Sequence, residues 1–528
     1  MGNYLVLLLG IILCFLESPI IWCQQGSRGM YFEKKEYDGK DLPLFSESRD
    51  QLPEPILDDH QEWIDMYWKC WEMAFKHFKK PLVNSPFVSN ILDEAFNANI
   101  FQWDMIFMIM FARYSHHVFP AINSLDNFYC NQHTSGYICR ELSGEDGSDF
   151  VYEGRKNTIN PPLFSWAEIE SFRNTGDISR FELVLPVLEK YAQWLSQEGD
   201  MITANHETDW YKYGRRAAHS EHGLFWNTGL GSGMDNTPRG GDGWVDMSCQ
   251  MVIQYNNLAF MSNIIGLKEK EQEFQNAANA VGNRINKYCW NEEDGLYYDV
   301  DHTGNQVKFK TSGCFWPMLA GIASREQAMR LVENLEDSVS FWRKIVFPTL
   351  AADEPEYNPL GGYWRGAVWA PTNYMIIKGL EKYGYEELAA RASLNYIEAI
   401  YRVYESSGTF WENYMPDYYA PGQPSKPDFV GWTGIGPIAL LIENILGFRV
   451  NAADQSLIWH VTRNDRHGIK NLRVGTTVVS AVCHRREREN DPPELFVEVS
   501  KKLKLSVIYL GKEHVYELEP GEYNITID

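Results

Sequence analysis

Asp235 and Glu412 carry the clearest chemical promise in this sequence, because each is an isolated acid in a loop of unusual composition. The first lies in residues 229–248, "GLGSGMDNTPRGGDGWVDMS", where glycines let backbone approach a ligand closely. The second lies in residues 408–417, "GTFWENYMPD". Loops of this kind between apolar segments are where function concentrates. Two carboxyl groups from separate loops suit one reaction in particular. Hydrolysis of a glycosidic bond needs a protonated acid for the leaving oxygen and a second carboxylate that activates water or attacks directly. A free aspartate titrates at about pH 4, so Asp235 needs help to keep a proton. Burial among Trp226, Trp244 and similar rings, beside a second carboxylate, would supply that help. Arg239, four residues on, would oppose the shift by pairing directly, and is therefore expected to face substrate, holding a hydroxyl or positioning the acid. Asp104, in "NANIFQWDMIF", is the rival acid.

These loops require helices to hold them. From Leu57 to about Gly447 the chain alternates loops with apolar residues at helical spacing, as in "EWIDMYWKCWEMAFKHF", "MIFMIMFARY", "VDMSCQMVIQYNNLAFMSNII", "APTNYMIIKGLEKYG" and "EELAARASLNYIEAIYRVYESSG". Several helices are entered through an aromatic loop: "LFWNTGLGSGMDN", "TSGCFWPMLAG", "GGYWRGAVWAPTNY", "GTFWENYMPD" and "FVGWTGIGPIALL". A degenerate loop-plus-hairpin repeat of this sort predicts a helical array whose loops gather on one face. Closed into a toroid of six hairpins, it would set Tyr363, Trp411 and Trp432 around one mouth with Trp226 and Trp244. After about Ala452 the segments become short, β-branched and alternating, which predicts a small β-sandwich. The expected division is a leader at 1–24, an arm at 25–56 wrapping the barrel, the helical domain at 57–451 and the sandwich at 452–528.

Composition sets the outer limits. The 528 residues are 44% apolar and 23% charged, as in a folded globular protein. A net charge of -23 argues against nucleic acid or an anionic membrane surface as partner. The surplus of 18 Trp, 29 Tyr and 27 Phe suits sugar rings, whose C–H faces stack on aromatic planes. The run from Tyr4 to Leu16 is too short to span a bilayer and fits a secretory leader, although no basic residue precedes it, and places the chain outside the cytoplasm or in a periplasm; Cys23 is a candidate lipid attachment point. The odd, scattered cysteines form no disulfide framework, though Cys130 and Cys139 could bridge a short loop. No cofactor is expected. "HSEH", with His219, Glu221 and His222, reads as loop rather than metal ligands, and the oxygen-rich residues 290–301 as a turn between helices rather than a calcium site.

The blocks "GMDNTPRGG", "GGYWRGAVWAPTNY", "TFWENY" and "QWDMIFM" resemble those of trehalase-like and mannosylglycerate-hydrolase-like glycoside hydrolases, relatives of families 63 and 37, in the expected order over most of residues 60–450. The resemblance implies an (α/α)6 barrel and an inverting mechanism on α-linked glucosides or mannosides; a simple pocket mouth and acidic surroundings suggest exo action on a terminal sugar. It implies that Asp235 is the general acid and Glu412 the general base. It makes Gln102, Trp103 and Asp104 binding residues for the non-reducing ring, with Trp364, Arg365 and Trp369 as the wall and Asn373 nearby. Two features depart from the pattern: Ala stands where "GAVWAP" usually has Pro, and Leu142 to Gly223 matches nothing in the family, which leaves the leaving-group side open. Two rival readings share the architecture. A polysaccharide lyase would need a Tyr/His base and neutralisation of a uronate, which few loop histidines and an acidic balance disfavour. A non-catalytic sugar-binding protein would not need both acids. The expected partner is an oligosaccharide or small glycoside; oligomeric state is not legible.

Overall fold

The computed structural model describes residues 28–33, 35–94, 97–150, 159–196, 222–227, 230–241, 243–488 and 490–527. The leader, His219 and Glu221 lie outside them. The longer described helices are α1 (Gln61–Ala74), α2 (Gln102–Ala112), α3 (Phe164–Thr175), α4 (Ser179–Ser196), α5 (Val245–Ile264), α6 (Lys268–Tyr288), α7 (Arg325–Glu336), α8 (Ala370–Lys382) and α9 (Glu386–Ser407). A wider-wound helix, Gly436–Ile445, closes the series. The apolar runs picked out by spacing are helical. Helix α3 carries no such signal, because its buried positions include Ser165, Glu168, Glu170, Ser171 and Asn174 as well as apolar residues.

Burial separates two kinds of helix. All residues of α2 are buried, and α5, α8 and Gly436–Ile445 are buried almost all round. By contrast α6 buries the stripe Phe274, Ala278, Val281, Gly282 and Ile285, and α7 buries Ala328, Leu331, Val332 and Leu335. A single apolar stripe marks a helix with one face to solvent; burial all round marks an inner one. The half-buried helices pack outside the others, α6 on α5, and α9 on α8 and on Gly436–Ile445. Sequence also sets helix starts. Ser324 and Gln327 form a reciprocal capping box at α7, with bonds of 3.1 and 2.7 Å that satisfy otherwise orphaned N–H groups.

The strands of four or more residues form two sheets. Strands β1 (Glu54–Leu57), β2 (Phe448–Asn451), β3 (Ser456–His460), β4 (His467–Val474), β5 (Thr477–Cys483), β6 (Glu494–Val499), β7 (Leu503–Tyr509), β8 (Lys512–Leu518) and β9 (Gly521–Thr526) pair in the orders β1-β4-β5-β6-β9 and β2-β3-β7-β8. All pairs are antiparallel except β3 with β7, where Trp459 faces Val507. The first strand of the sheet region, at Phe448, comes a few residues before 452, directly after the last helix ends at Ile445. At the end of the segment read as an arm, Glu54–Leu57 adds an edge strand in register with Lys470 to His467. Inward residues such as Trp459, Leu472, Val479 and Leu505 join the same apolar core as the helices. Residues 290–301 make a turn after α6, with Trp290–Asn291 paired to Leu296–Tyr297 and Asp294 held by Lys308 at 2.7 Å. No described helix is long and apolar enough to cross a membrane.

Candidate active site

Asp235 is placed by a loop pressed against the start of α2. Gly233 has φ +76°, and a Cβ there would meet the Trp103 ring at 2.8 Å, so both conformation and space require glycine. On the far side the loop is laced to residues 362–365. Asn236 Oδ1 accepts the Trp364 N–H at 2.8 Å, Asn236 Nδ2 donates to the Gly362 carbonyl at 3.1 Å, and Thr237 Oγ1 donates to the Trp364 carbonyl at 3.0 Å. The same lacing brings the Tyr363 hydroxyl to 3.4 Å from Asp235 Oδ2.

Glu412 lies on a second loop, folded against residues 422–432. Its carboxylate accepts the Lys426 backbone N–H at 3.1 Å, and its own N–H donates to the Lys426 carbonyl at 3.0 Å. Trp432 Nε1 donates to the Glu412 carbonyl at 2.8 Å. Gly422 is needed here because a Cβ would lie 1.8 Å from Asn413 Oδ1. The two loops meet through an aromatic wall. Trp364 stacks on Trp369 with centroids 3.9 Å apart at 5°, Trp369 lies 5.7 Å from Trp432, and Tyr363 meets Trp369 edge-on at 5.1 Å. Packed rings of this kind bury large area and hold one geometry, which fixes the acids they flank.

Burial dominates the electrostatics. It pushes Asp235 up to about 6 against the opposing Arg140 charge and the Tyr363 hydrogen bond. It pushes Glu412 up to about 7, opposed by the Lys426 N–H and charge and reinforced by Asp235. Asp104, in the first turn of α2, is pushed well up by burial and by the charges of Asp93, Glu412 and Asp235. Its Oδ1 has no hydrogen-bond partner among the described residues. Asp93 is fully buried and likewise pushed well up by burial, with Lys79 opposing and Glu94 reinforcing. Carboxyl groups are thus gathered and desolvated without a cation bound to Asp235, Glu412 or Asp104 in an ion pair among the described residues. Such a site can hold a proton on one carboxyl while another is ionised near neutral pH.

Residues 102–430 match the family described as the mannosylglycerate hydrolase MGH1-like glycoside hydrolase domain. The chain belongs to this family. It is a glycoside hydrolase of the family 63 type. A Borreliella burgdorferi protein of uncharacterised function is 25% identical over 435 residues, covering 79% of this chain and 86% of that one. A probable mannosyl-oligosaccharide glucosidase from Schizosaccharomyces pombe is 24% identical over 330 residues, covering 57% of this chain and 39% of its own length. In fold the chain is similar to the GH63 mannosylglycerate hydrolase from Thermus thermophilus in complex with glucose, with TM-score 0.54, 19% identity, and coverage of 70% of this chain and 98% of that one.

Within this glycoside hydrolase the residues picked out by sequence fall into three groups. Asp104, Asp235, Glu412 and Tyr363 share one electrostatic neighbourhood, and Trp103, Trp364, Trp369 and Trp432 pack around it. A second group supports backbone. Gln102 Nε2 donates to the Pro161 carbonyl at 3.0 Å, and Asn373 Nδ2 to the Phe347 and Trp369 carbonyls at 3.2 and 3.3 Å. Trp411 turns its indole N–H to Ser407 at 3.0 Å, and Trp244 turns its own to Gly241 at 3.1 Å; Trp226 is half-buried against the core. The third group is two arginines paired with acids other than Asp235. Arg239 pairs through its guanidinium with Asp246, at the start of α5, and lies 4.5 Å over the Trp244 ring. The cation that opposes the Asp235 shift is Arg140 instead. Arg365 is exposed, pairs with Glu356 at 3.2 Å and donates to the Asn236 carbonyl at 3.2 Å.

Asp93, Arg140 and Lys426 were not legible as site residues. "ILDEAF" around Asp93 and Glu94 holds the one available signal, two acids in an otherwise apolar stretch. Lys426 acts on Glu412 through a backbone N–H, which no residue type reveals. His222 is buried edge-on against Tyr288 at 4.5 Å.

Proposed function

We propose that this glycoside hydrolase is an inverting, exo-acting α-glycosidase in which Asp235 is the general acid and Glu412 the general base. The observation that carries the reading is the pair itself: two buried acids from separate loops, raised to about 6 and about 7, beside an aromatic wall. Asp235 donates its proton to the glycosidic oxygen while Glu412 draws a proton from a water attacking the opposite face of the ring. The reactive form carries its proton on Asp235 and leaves Glu412 ionised, one of the two singly protonated forms of the pair. Substrate binding favours it, because the glycosidic oxygen meets Asp235 and the attacking water meets Glu412. Asp104, at the head of α2, accepts and donates to ring hydroxyls, with Trp103, Trp364 and Trp369 supplying apolar surface.

In the same reading the all-round-buried helices α2, α3, α5, Trp316–Ala320, α8 and Gly436–Ile445 form the inner ring of an (α/α)6 barrel, and the half-buried helices the outer ring. The names of the similar proteins favour an α-glucoside or α-mannoside. Arg140 near Asp235 suits a leaving group that carries negative charge, such as a glycerate. The apolar leader makes the working site extracytoplasmic.

Incubation with α-linked disaccharides and with mannosylglycerate, followed by proton NMR, tests the mechanism. Initial release of the β-anomer from an α-glycoside, abolished in Asp235→Asn and Glu412→Gln, is the expected result. Initial α-anomer overturns inversion, and no release from any α-linked substrate overturns the assignment of substrate.

A further inference from the structure

Behind Glu412 runs a chain of contacts that the two-acid mechanism does not use. The Lys426 peptide clasps Glu412 on both sides, its N–H 3.1 Å from the carboxylate and its carbonyl 3.0 Å from the Glu412 N–H. The Lys426 side chain points away from this clasp. Its Nζ lies 2.9 Å from Glu94 Oε1 and 5.7 Å from the centre of the Phe429 ring. The other oxygen of Glu94 is bonded to His77 Nδ1. Glu94 and His77 stand at the base of one hairpin, where the Asp93 N–H donates to the His77 carbonyl at 3.2 Å and Phe78 pairs with Leu92. Gly431 packs so closely that a Cβ would lie 3.2 Å from Glu94 Cβ. The peptide that holds Glu412 is thus tied through one side chain to a hairpin distant in sequence.

We infer that Glu94 and Lys426 are positioning residues for Glu412, an inference that rests on reading Glu412 as the base. A pair between a buried carboxylate and a one-third-exposed lysine adds little net stability. What it adds is direction. It keeps the 426 peptide turned so that one carboxylate oxygen is occupied and the other is free for water. The charged groups around Glu412 are Lys426, Asp235 and Asp104, with the Tyr363 hydroxyl nearby; Lys426 supplies the positive one.

The test uses the full chain carrying Lys426→Met, Glu94→Gln, both together, and Lys426→Arg. Each single neutral variant is expected to lower kcat about tenfold with KM within about twofold. The double variant should be no worse than either single one, because both break the same link, and Lys426→Arg should retain most activity. A second readout needs no turnover: carbodiimide labelling of Glu412 across pH, read by peptide mass spectrometry. Loss of the cation in Lys426→Met, with the Lys426 N–H no longer held on the carboxylate, leaves Glu412 protonated to higher pH, so the labelling midpoint should rise by about half a unit or more. An unchanged midpoint in Lys426→Met overturns the inference, as does an unchanged kcat accompanied only by a lower melting temperature, or additive losses in the double variant. If the parent protein cleaves no α-glycoside, the proposed function falls while the labelling still decides the positioning role. Should Glu94→Gln fail to fold, Lys426→Met carries the test from the more exposed end of the pair.

Discussion

Helix α2 has a cluster of buried charge at each end, and the two clusters behave in opposite ways. At its start, Asp104 joins Asp235 and Glu412, with no cation among the described residues ion-paired to any of the three carboxyls, and burial raises all three. Just past its end, Arg113 pairs with Glu170 and lies 2.6 Å from Glu443, which also takes Lys378 at 2.5 Å and the Tyr114 hydroxyl at 2.8 Å. There, despite burial, Lys378 and Arg113 hold the Glu443 carboxyl at about 2. Helix α8 repeats the contrast, with Trp369 at its head and Lys378 in its later turns. Desolvation is common to both ends; the supply of cations differs. One end ties helices together with satisfied charge. The other withholds partners and leaves its carboxyls raised, Asp235 to about 6 and Glu412 to about 7, at a cost in stability.

The contrast breaks most sharply at the acids themselves. Asp235→Asn and Glu412→Gln are each expected to lower kcat by about a thousandfold or more, measured on whichever α-glycoside the parent cleaves, because each removes a proton-transfer partner from the transition state. At the other end Glu443→Gln should leave Arg113 and Lys378 partly unpaired and cost about 3–5 kcal/mol of stability in urea unfolding, with little change in KM if the protein stays folded. Asp104→Ala should raise KM and lower kcat/KM by about 10–100-fold, since ring hydroxyls then lose both the donor and the acceptor of the carboxyl.

The pH dependence of stability tests the same contrast without activity. Asp235 and Glu412 have folded-state values of about 6 and about 7, above those of unfolded chains at about 4. The folded protein therefore binds more protons between those limits, and the contribution of each group is present at acid pH and lost as pH rises through 6 to 7. Asp235→Asn and Glu412→Gln should each be more stable than the parent at pH 8, by roughly 1–3 kcal/mol, and no more stable below about pH 4. The kcat/KM profile of the parent should be a bell between about 6 and 7 whose limbs belong to the pair. The smallest effect is expected for Tyr363→Phe. It removes a 3.4 Å hydrogen bond that lowers Asp235, so the Asp235 value should rise and kcat change by about threefold or less.

Much of this was legible in the chain alone. Helical spacing located helices such as α1, α5 and α9, since a stripe of apolar residues is written in residue types. It passed over α3, whose buried face is largely polar. The acids Asp235 and Glu412 stood out because glycine and tryptophan around an isolated carboxyl are rare in ordinary loops. The partner of Arg239 was not legible, because sequence proximity to Asp235 says nothing about Asp246, on α5, whose carboxylate claims the guanidinium.

Residue type and order thus determined the helical domain, the trailing strands, the blocks that mark the family and the two acids. Tertiary structure alone decided which charges are paired. Whether a buried carboxyl falls to about 2 like Glu443 or rises to about 7 like Glu412 depends on the cations that packing delivers from elsewhere in the chain. Ion pairing depends on distances of a few ångströms between residues hundreds of positions apart, and a backbone N–H such as that of Lys426 leaves no mark in the sequence at all.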